Sequence, residues 1–251
     1  MTYFLRRISI LAIALLAGIT GASGQQTLRV GYPPFAAPLA FIDSKTNLPS
    51  GALVDLASAV AKDIGSRVEL HPLLGGDMLA ALNAKIIDMT AGGLNQTPEL
   101  QTLADYSRTI FTQGEALVVK KSDTRAYKSL DDLKGLPVGA NIRTVYADLL
   151  QKAGLDVKTY GGDPAALAAV SAGEIRASVH SIVVANAAIS LHPNLQVVSS
   201  YEPKLKLSVA FGFRKGESEL VQKINGSLAK LMADGTVRGI FAKYELGALI
   251  K

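Results

Sequence analysis

The feature that most constrains the fold of this chain is the alternation of short apolar runs with amphipathic helical patterns. The first helical pattern, over residues 53–64, repeats apolar residues at intervals of three and four, which buries one stripe of a helix against a sheet. Further along, Gly154 ends a helical pattern and Asp163-Pro164 begins the next one. Strands separated by helices in this way predict an α/β fold with mostly parallel strands.

The individual elements follow from the same patterns. We predict strands at residues 28–31, 68–70, 86–91, 116–119 and 137–139. We predict helices at residues 53–64, 78–84, 130–133, 145–153, 217–233 and 237–244. The two closing helices are separated by Asp234-Gly235-Thr236, a typical stop and restart signal.

The first 24 residues have the order of a cleavable export signal. Arg6 and Arg7 precede an apolar stretch over residues 8–19, and small residues end the segment at Gly24. The apolar stretch is shorter than the roughly 20 residues that a membrane-spanning helix needs. We therefore predict that residues 1–24 are a signal peptide, removed on the general secretory route, and that the mature protein is periplasmic.

Charge and residue content exclude several function classes. Without Arg6 and Arg7 the chain has 24 basic and 21 acidic residues, a net charge of +3, which is too small to indicate a nucleic-acid partner. The absence of cysteine excludes disulfides, thiolate zinc sites, cysteine nucleophiles and lipid-modified cysteine anchors. No Gly-x-Gly or Gly-Lys pair supports a nucleotide site, and the three histidines are isolated in sequence. We predict no metal, no cofactor and no catalytic residue.

A series of short motifs in a fixed order makes the chain similar to a known protein family. The motifs are Leu28-Arg29-Val30-Gly31 before Tyr32-Pro33-Pro34-Phe35, Val54-Asp55-Leu56-Ala57, Thr97-Pro98-Glu99, Asp105-Tyr106-Ser107, Asp234-Gly235-Thr236 and Lys243-Tyr244. Over nearly its whole mature length the chain resembles the periplasmic amino-acid-type solute-binding proteins of ABC importers, the bacterial extracellular solute-binding protein family 3.

That resemblance implies a two-lobed periplasmic binding protein fold of type II, each lobe a mixed, mostly parallel sheet flanked by helices. The first lobe would contain residues 25–110 and 210–251, the second residues 115–205, and the hinge segments residues 110–114 and 205–210. Only the closed state makes the ligand contacts of both lobes, so ligand shifts the population toward closure.

The function that the resemblance implies is the solute-binding component of an ABC importer. We expect a monomer that captures a small polar ligand, anionic or amino-acid-like, and delivers it to a permease in the inner membrane. Two alternatives remain. One is a dehydratase-like enzyme on the same scaffold, with Glu174 as a general acid, although Glu174 is better interpreted as a surface residue. The other is a ligand-sensing accessory protein of a membrane partner.

Several candidate ligand contacts lie in the predicted first lobe. Relatives place an aromatic side chain over the ligand early in this lobe, and Tyr32 is our first candidate, while Phe35 is predicted to fill the core. A second candidate group follows a strand and begins a helix. There Gly93 permits close approach of the backbone, and Asn95 and Thr97 can point into the cleft.

The sequence departs from the family pattern at three positions. Leu100 stands where relatives usually carry an arginine that binds the ligand α-carboxylate. Ser181 stands where they usually carry an aspartate for the ammonium group, so Ser181 remains a candidate contact without charge. Gly75 lies near the place of a second aromatic wall. Because each charged hydrogen bond is worth roughly 1.5–3 kcal/mol, we expect a ligand other than a standard α-amino acid.

A compensating cation is visible in the predicted second lobe. Arg143 and Thr144 precede the helix predicted at residues 145–153, and a helix start attracts anions. We hypothesise that Arg143 supplies the charge that Leu100 lacks, with Thr144 as a neighbouring contact. The alternative is a solvent-facing arginine on the first turn of the helix.

Overall fold

The structure is a computed structural model that describes residues 25–250. The predicted signal peptide, residues 1–24, lies outside this range. No helix between residues 25 and 250 is both long and apolar enough to cross a bilayer.

The secondary structure follows the predicted alternation. The helices are α1 Ala52–Asp63, α2 Met78–Asn83, α3 Pro98–Leu103, α4 Val145–Lys152, α5 Asp163–Ala172, α6 Ile182–Ile189, α7 Ser218–Ala233 and α8 Thr236–Ala242, with single 3₁₀ turns at Gly75–Asp77, Leu130–Leu133 and Gly247–Leu249. The strands are β1 Thr27–Tyr32, β2 Phe35–Ala36, β3 Ala40–Ile42, β4 Pro49–Ser50, β5 Arg67–Pro72, β6 Met89–Thr90, β7 Ala104–Tyr106, β8 Phe111–Gln113, β9 Glu115–Lys120, β10 Pro137–Asn141, β11 Asp156–Tyr160, β12 Ala177–Ser181, β13 Leu195–Val197, β14 Leu207–Val209 and β15 Gly212–Arg214.

The sheet of the first lobe has the strand order β5-β1-β6-β15-β7. Strand β1 pairs in parallel with β5 and β6, whereas β15 runs antiparallel to β6 and β7. Helix α1 buries Leu53, Leu56 and Val60 in the core of this lobe, as its three- and four-residue spacing predicts. Because β15 comes from the far end of the chain, this lobe is built from two separate stretches of sequence.

One predicted strand is shorter than expected. Residues 86–91 were predicted as a strand, but only Met89–Thr90 is one. The carboxylate of Asp88 accepts the backbone N–H of Arg29 at 2.9 Å and also binds the Arg29 guanidinium. The Asp88 side chain therefore replaces a main-chain acceptor for the Arg29 N–H, while the Asp88 N–H still donates to the Arg29 carbonyl oxygen at 2.8 Å.

The sheet of the second lobe has the order β11-β10-β12-β9-β13, all drawn from one continuous stretch. Strand β10 pairs in parallel with β11 and β12, and β9 runs antiparallel to β12 and β13. Each lobe thus has two parallel and two antiparallel pairings. The predicted α/β class, with a mixed sheet in each of two lobes, is confirmed, but the strands are not mostly parallel as predicted, because each sheet has as many antiparallel pairings as parallel ones.

The two crossings between the lobes pair with each other. Strands β8 and β14 form a two-stranded antiparallel ribbon, with Phe111 opposite Val209 and Gln113 opposite Leu207. Next to it the carboxylate of Glu115, which is fully buried, accepts the backbone N–H groups of Lys204 (2.6 Å) and Leu205 (2.9 Å) and the Tyr201 hydroxyl (2.9 Å). The predicted hinge segments 110–114 and 205–210 contain this ribbon.

Candidate functional site

A cavity of about 120 Å³ lies between the two lobes, and we call it the inner cavity. Its polar and aromatic wall residues are Phe35, Asn95, Gln113, Asn141, Thr144, Tyr146, Asp163 and Ser181. Apolar side chains such as Leu53, Val184 and Val209 complete the wall. Because the wall draws on both lobes and on the hinge, the cavity has this shape only when the lobes are together.

A second space of about 520 Å³, which we call the outer cavity, adjoins the inner one. It is lined by Leu100, Arg143 and Lys152 among others, and it shares Gly93 and Asn95 with the inner cavity. The two spaces are therefore parts of one cleft between the lobes.

Three predicted site residues cap helices that begin at the cleft. The Thr97 hydroxyl accepts the Leu100 N–H at 3.2 Å, and the Thr144 hydroxyl accepts the Ala147 N–H at 3.4 Å. The Ser181 hydroxyl caps α6 and donates to Gln113 Oε1 at 2.6 Å. These hydroxyls lie at the cleft because each helix begins there.

The charged feature of the inner wall is a buried network around Asp163. Asn141 Nδ2 donates to Asp163 Oδ1 at 3.0 Å, and His180 Nδ1 lies 2.6 Å from the same oxygen. His180 Nε2 lies 2.7 Å from the hydroxyl oxygen of Ser178, and both residues are almost completely buried. Asp163 begins α5, so its carboxylate also lies at the favourable end of a helix dipole.

Tyr146 is a neutral hydroxyl of the same wall. Burial, together with the charges of Asp163 and Glu115, raises the pKa of Tyr146 above its ordinary value. Its side chain therefore acts as a hydrogen-bonding group that remains uncharged at neutral pH.

The predicted site residues divide between the two cavities. Gly93, Asn95, Thr144 and Ser181 line the inner cavity, and the first three also line the outer one. Thr97 lines only the outer cavity. Four of the seven predicted positions are therefore within reach of a ligand in the inner cavity.

The prediction for Tyr32 and Phe35 is reversed. Tyr32 is 1% exposed and lies in the core of the first lobe, on the same face of β1 as Leu28 and Val30, because alternate residues of a strand share a face. Phe35 is 50% exposed at the inner cavity, where a Cβ placed on Gly162 of the other lobe would lie 3.1 Å from its ring. Phe35, not Tyr32, is the aromatic residue that this part of the first lobe contributes to the cleft.

Arg143 does not line the inner cavity. Its Nη1 lies 2.9 Å from Oδ1 of Asp77 on the other lobe, so its charge is already paired. Lys152 approaches Glu99 across the same cleft at 4.0 Å. The hypothesis of a cation that replaces the family arginine beside the ligand is corrected accordingly: Arg143 makes a contact between the lobes.

Replacing Arg143 by alanine is expected to weaken ligand binding by about fivefold or less, because an exposed ion pair is worth about 0–1 kcal/mol. The difference should disappear at about 1 M salt, where exposed charges are screened. Titration calorimetry at low and high salt measures both effects, with Arg125→Ala, an exposed arginine of the same lobe, as the matched control. A loss of about a hundredfold or more that persists in salt would mean that Arg143 contacts the ligand.

The departures from the family pattern have clear places in the structure. Gly75 lies at both cavities, and a Cβ there would be 3.2 Å from the Gly93 carbonyl oxygen. Leu100 lines the outer cavity and packs beside the apolar cluster of α2. Glu174, the candidate general acid, is exposed beyond α5 and lines neither cavity.

Sequence reasoning missed four wall residues, Gln113, Asn141, Tyr146 and Asp163. A signal existed for two of them. Asn141 ends β10, and Asp163 follows β11 after two glycines. Polar residues at the carboxyl ends of neighbouring parallel strands meet at one edge of a sheet, which is where α/β proteins bind ligands.

Comparison with known proteins agrees with the family resemblance of the sequence motifs. The sequence profile of the bacterial extracellular solute-binding proteins, family 3, matches residues 28–248. A relative from Haemophilus influenzae, named as a probable amino-acid ABC transporter-binding protein, is 30% identical, with 86% of this chain and 83% of the relative covered.

Two of the solved structures that resemble this chain illustrate the shared fold. An ancestral arginine-binding protein bound to arginine superimposes with a TM-score of 0.82 at 32% identity, covering 88% of this chain and 98% of its own. The ancestral amino acid-binding protein AncCDT-1, described as a precursor of cyclohexadienyl dehydratase, superimposes with a TM-score of 0.80 at 28% identity, covering 87% and 95%.

Proposed function

Because the chain belongs to the bacterial extracellular solute-binding proteins, family 3, we propose that it captures a small polar solute in the inner cavity and presents it to an ABC permease. The observation that carries this proposal is the composition of the cavity wall. Phe35 and Asn95 come from the first lobe, Asn141 and Asp163 from the second, and Gln113 from the hinge. A ligand that contacts all of them stabilises the closed state.

The geometry of the hinge supports closure of the two lobes as the motion that accompanies ligand binding. The ribbon of β8 and β14 contains both crossings, and the sheets on either side of it share no strand. Rotation about such a short ribbon changes the distance between the lobes while leaving each sheet intact. We propose residues 110–114 and 205–210 as the hinge, residues 25–110 with 210–251 as the first lobe, and residues 115–205 as the second.

The proposed ligand class is amino-acid-like. The relative from Haemophilus influenzae and both solved structures are named as amino-acid or arginine-binding proteins. An anionic ligand, one of our two expectations, has less support, because the inner wall contains no lysine or arginine within residues 25–250. We further propose that the protein works as a periplasmic monomer with an inner-membrane permease and without a nucleic-acid partner.

We propose binding without turnover. The competing candidate, a dehydratase-like enzyme, is favoured by the likeness to AncCDT-1. Such an enzyme needs a carboxylic acid beside the reacting atoms. Glu174, the candidate for that role, lies outside both cavities, and the carboxylate on the inner wall, Asp163, is held by hydrogen bonds to Asn141 and His180. Incubating the mature protein with a cyclic prearomatic acid and assaying for the aromatic product distinguishes the two, because product formation would contradict the binding function.

The binding function is tested by a thermal-shift screen of the mature chain against amino acids and their decarboxylated relatives. A ligand at 100 times its dissociation constant should stabilise the protein by about 2.7 kcal/mol. Small-angle scattering of the same complex should show a smaller radius of gyration than the free protein, because the lobes close. If no compound in the screen stabilises the protein, or stabilisation comes without compaction, the proposed function is wrong.

A further inference from the structure

The described wall of the inner cavity carries a negative charge and no positive charge. Asp163 is the one charged side chain on its wall within residues 25–250, and it is 9% exposed. Arg143 lines the outer cavity and is paired with Asp77. A buried charge without a partner is costly. The cavity is therefore suited to a ligand that brings a positive charge.

The hydrogen bonds of Asp163 leave one of its oxygens available. Both donors, Asn141 Nδ2 and His180 Nδ1, reach Oδ1, and no hydrogen bond from residues 25–250 reaches Oδ2. Because Nδ2 of Asn141 is committed to the carboxylate, its Oδ1 must point elsewhere. That amide oxygen is buried and has no partner among the described residues. The Asp163 carboxylate, which lines the cavity, therefore has an oxygen available to a ligand donor, whereas the Asn141 oxygen is enclosed by protein.

His180 Nδ1 and Asp163 Oδ1 lie 2.6 Å apart, and this contact is an ion pair only if the imidazole is protonated. A neutral imidazole satisfies every group, since Nδ1–H donates to Asp163 and Nε2 accepts the proton of the Ser178 hydroxyl. A protonated imidazole would need Ser178 as an acceptor on Nε2, and the buried Ser178 hydroxyl would then have no acceptor for its own proton among residues 25–250. The network therefore presents one negative charge to the cavity.

Within residues 25–250, the rest of the inner wall has no positively charged partner for a carboxylate. Ser181 carries no charge, and the side-chain donor of the hinge, the Gln113 amide, is also neutral. Leu100 lines the outer cavity and is uncharged as well. Apolar groups such as Phe35 and Leu53 cover the wall of the first lobe. A carboxylate next to the bound nitrogen would lie close to Asp163 and lose its water without gaining a countercharge.

We propose that Asp163, oriented by Asn141 and His180, binds a positively charged nitrogen, and that the ligand is an organic amine or guanidine with no carboxylate beside that nitrogen. The inference rests on the proposed function, because it assumes that the inner cavity is the solute site. It assigns the cation contact to the N-terminus of α5, whereas Ser181, which aligns with the usual aspartate, donates its hydroxyl to Gln113.

Matched ligand pairs test the ligand class on the unmodified mature protein. Titration calorimetry with agmatine against arginine, and with cadaverine against lysine, compares molecules that differ by one carboxylate. We expect the amine of at least one pair to bind about tenfold or more tightly than its parent amino acid. Equal or tighter binding of both amino acids would overturn the inference and leave the proposed function standing. Absence of binding by every amine and amino acid would overturn both.

A substitution at Asp163 tests whether this residue binds the positively charged nitrogen. Asp163→Asn removes the charge at nearly constant volume, and we expect it to weaken binding of the preferred amine by about a hundredfold. Asp156→Asn, the same change at an exposed position on β11, should leave binding unchanged. Circular dichroism and the melting temperature report whether each variant folds. A folded Asp163→Asn protein with unchanged affinity would overturn the assignment, and if it does not fold, the ligand pairs decide on the unmodified protein.

Discussion

Replacing Gly76 by alanine is expected to weaken ligand binding by about tenfold to a hundredfold, although this residue does not line the inner cavity. A Cβ at Gly76 would overlap the Cβ of Arg143 on the opposite lobe and lie 3.1 Å from its carbonyl oxygen. Tightly packed atoms cannot accept such an overlap, so the lobes must separate. The cost falls on the closed state alone, and the apparent affinity falls with the population of that state.

The measurement is titration calorimetry with any ligand found by the screen, supported by the radius of gyration of the saturated variant. Gly226→Ala is the matched control, because a Cβ at that position of α7 meets nothing within 4 Å. Alanine there should raise stability by about 0.5–1 kcal/mol through its helix preference and leave affinity unchanged. Normal affinity in the Gly76 variant would contradict a closed state with the lobes this near.

Replacing Glu115 by alanine is expected to lower the free energy of unfolding by about 3 kcal/mol or more, since a buried donor that loses its acceptor costs about 1–3 kcal/mol. The change would leave two backbone N–H groups, of Lys204 and Leu205, and the Tyr201 hydroxyl without their acceptor. Burial and the charge of Glu115 raise the pKa of Tyr201, which therefore remains a donor at any ordinary pH.

Urea unfolding of the ligand-free protein measures this effect. Glu202→Ala removes an exposed carboxylate from the same stretch and should change stability by no more than about 0.5 kcal/mol. A similar small change in the Glu115 variant would mean that water replaces the carboxylate and that the second crossing does not depend on it.

The helices and the sheets were predictable from local pattern. Helix α1 needs one apolar stripe, and the spacing of Leu53, Leu56 and Val60 supplies it. The sequence of β1 also indicated the direction of the Tyr32 side chain, but the prediction followed the family resemblance instead. Tyr32 continues the alternation of Leu28 and Val30 and therefore faces the core. Local periodicity was the better guide to the direction of that side chain.

The site was harder to predict, because membership of a cavity depends on segments distant in sequence. Asp163 and His180 are 17 residues apart, and their contact requires β12 to lie near the start of α5. Arg143 lies at a helix start, where an anion-binding residue is expected. Its sequence neighbours do not reveal that it forms an ion pair with Asp77, 66 residues away. Pair contacts between lobes are set by closure and not by local sequence.

The position of β15 inverts the order in which the two lobes can be completed. Strand β15 lies between β6 and β7 in the sheet of the first lobe, so that sheet stays split until residue 214 is available. All strands of the second sheet lie between residues 115 and 197. As the chain emerges from its N-terminus during export, the lobe that follows in sequence can therefore fold first. A chain cut before Gly212 would lose the lobe made first and keep the one made second.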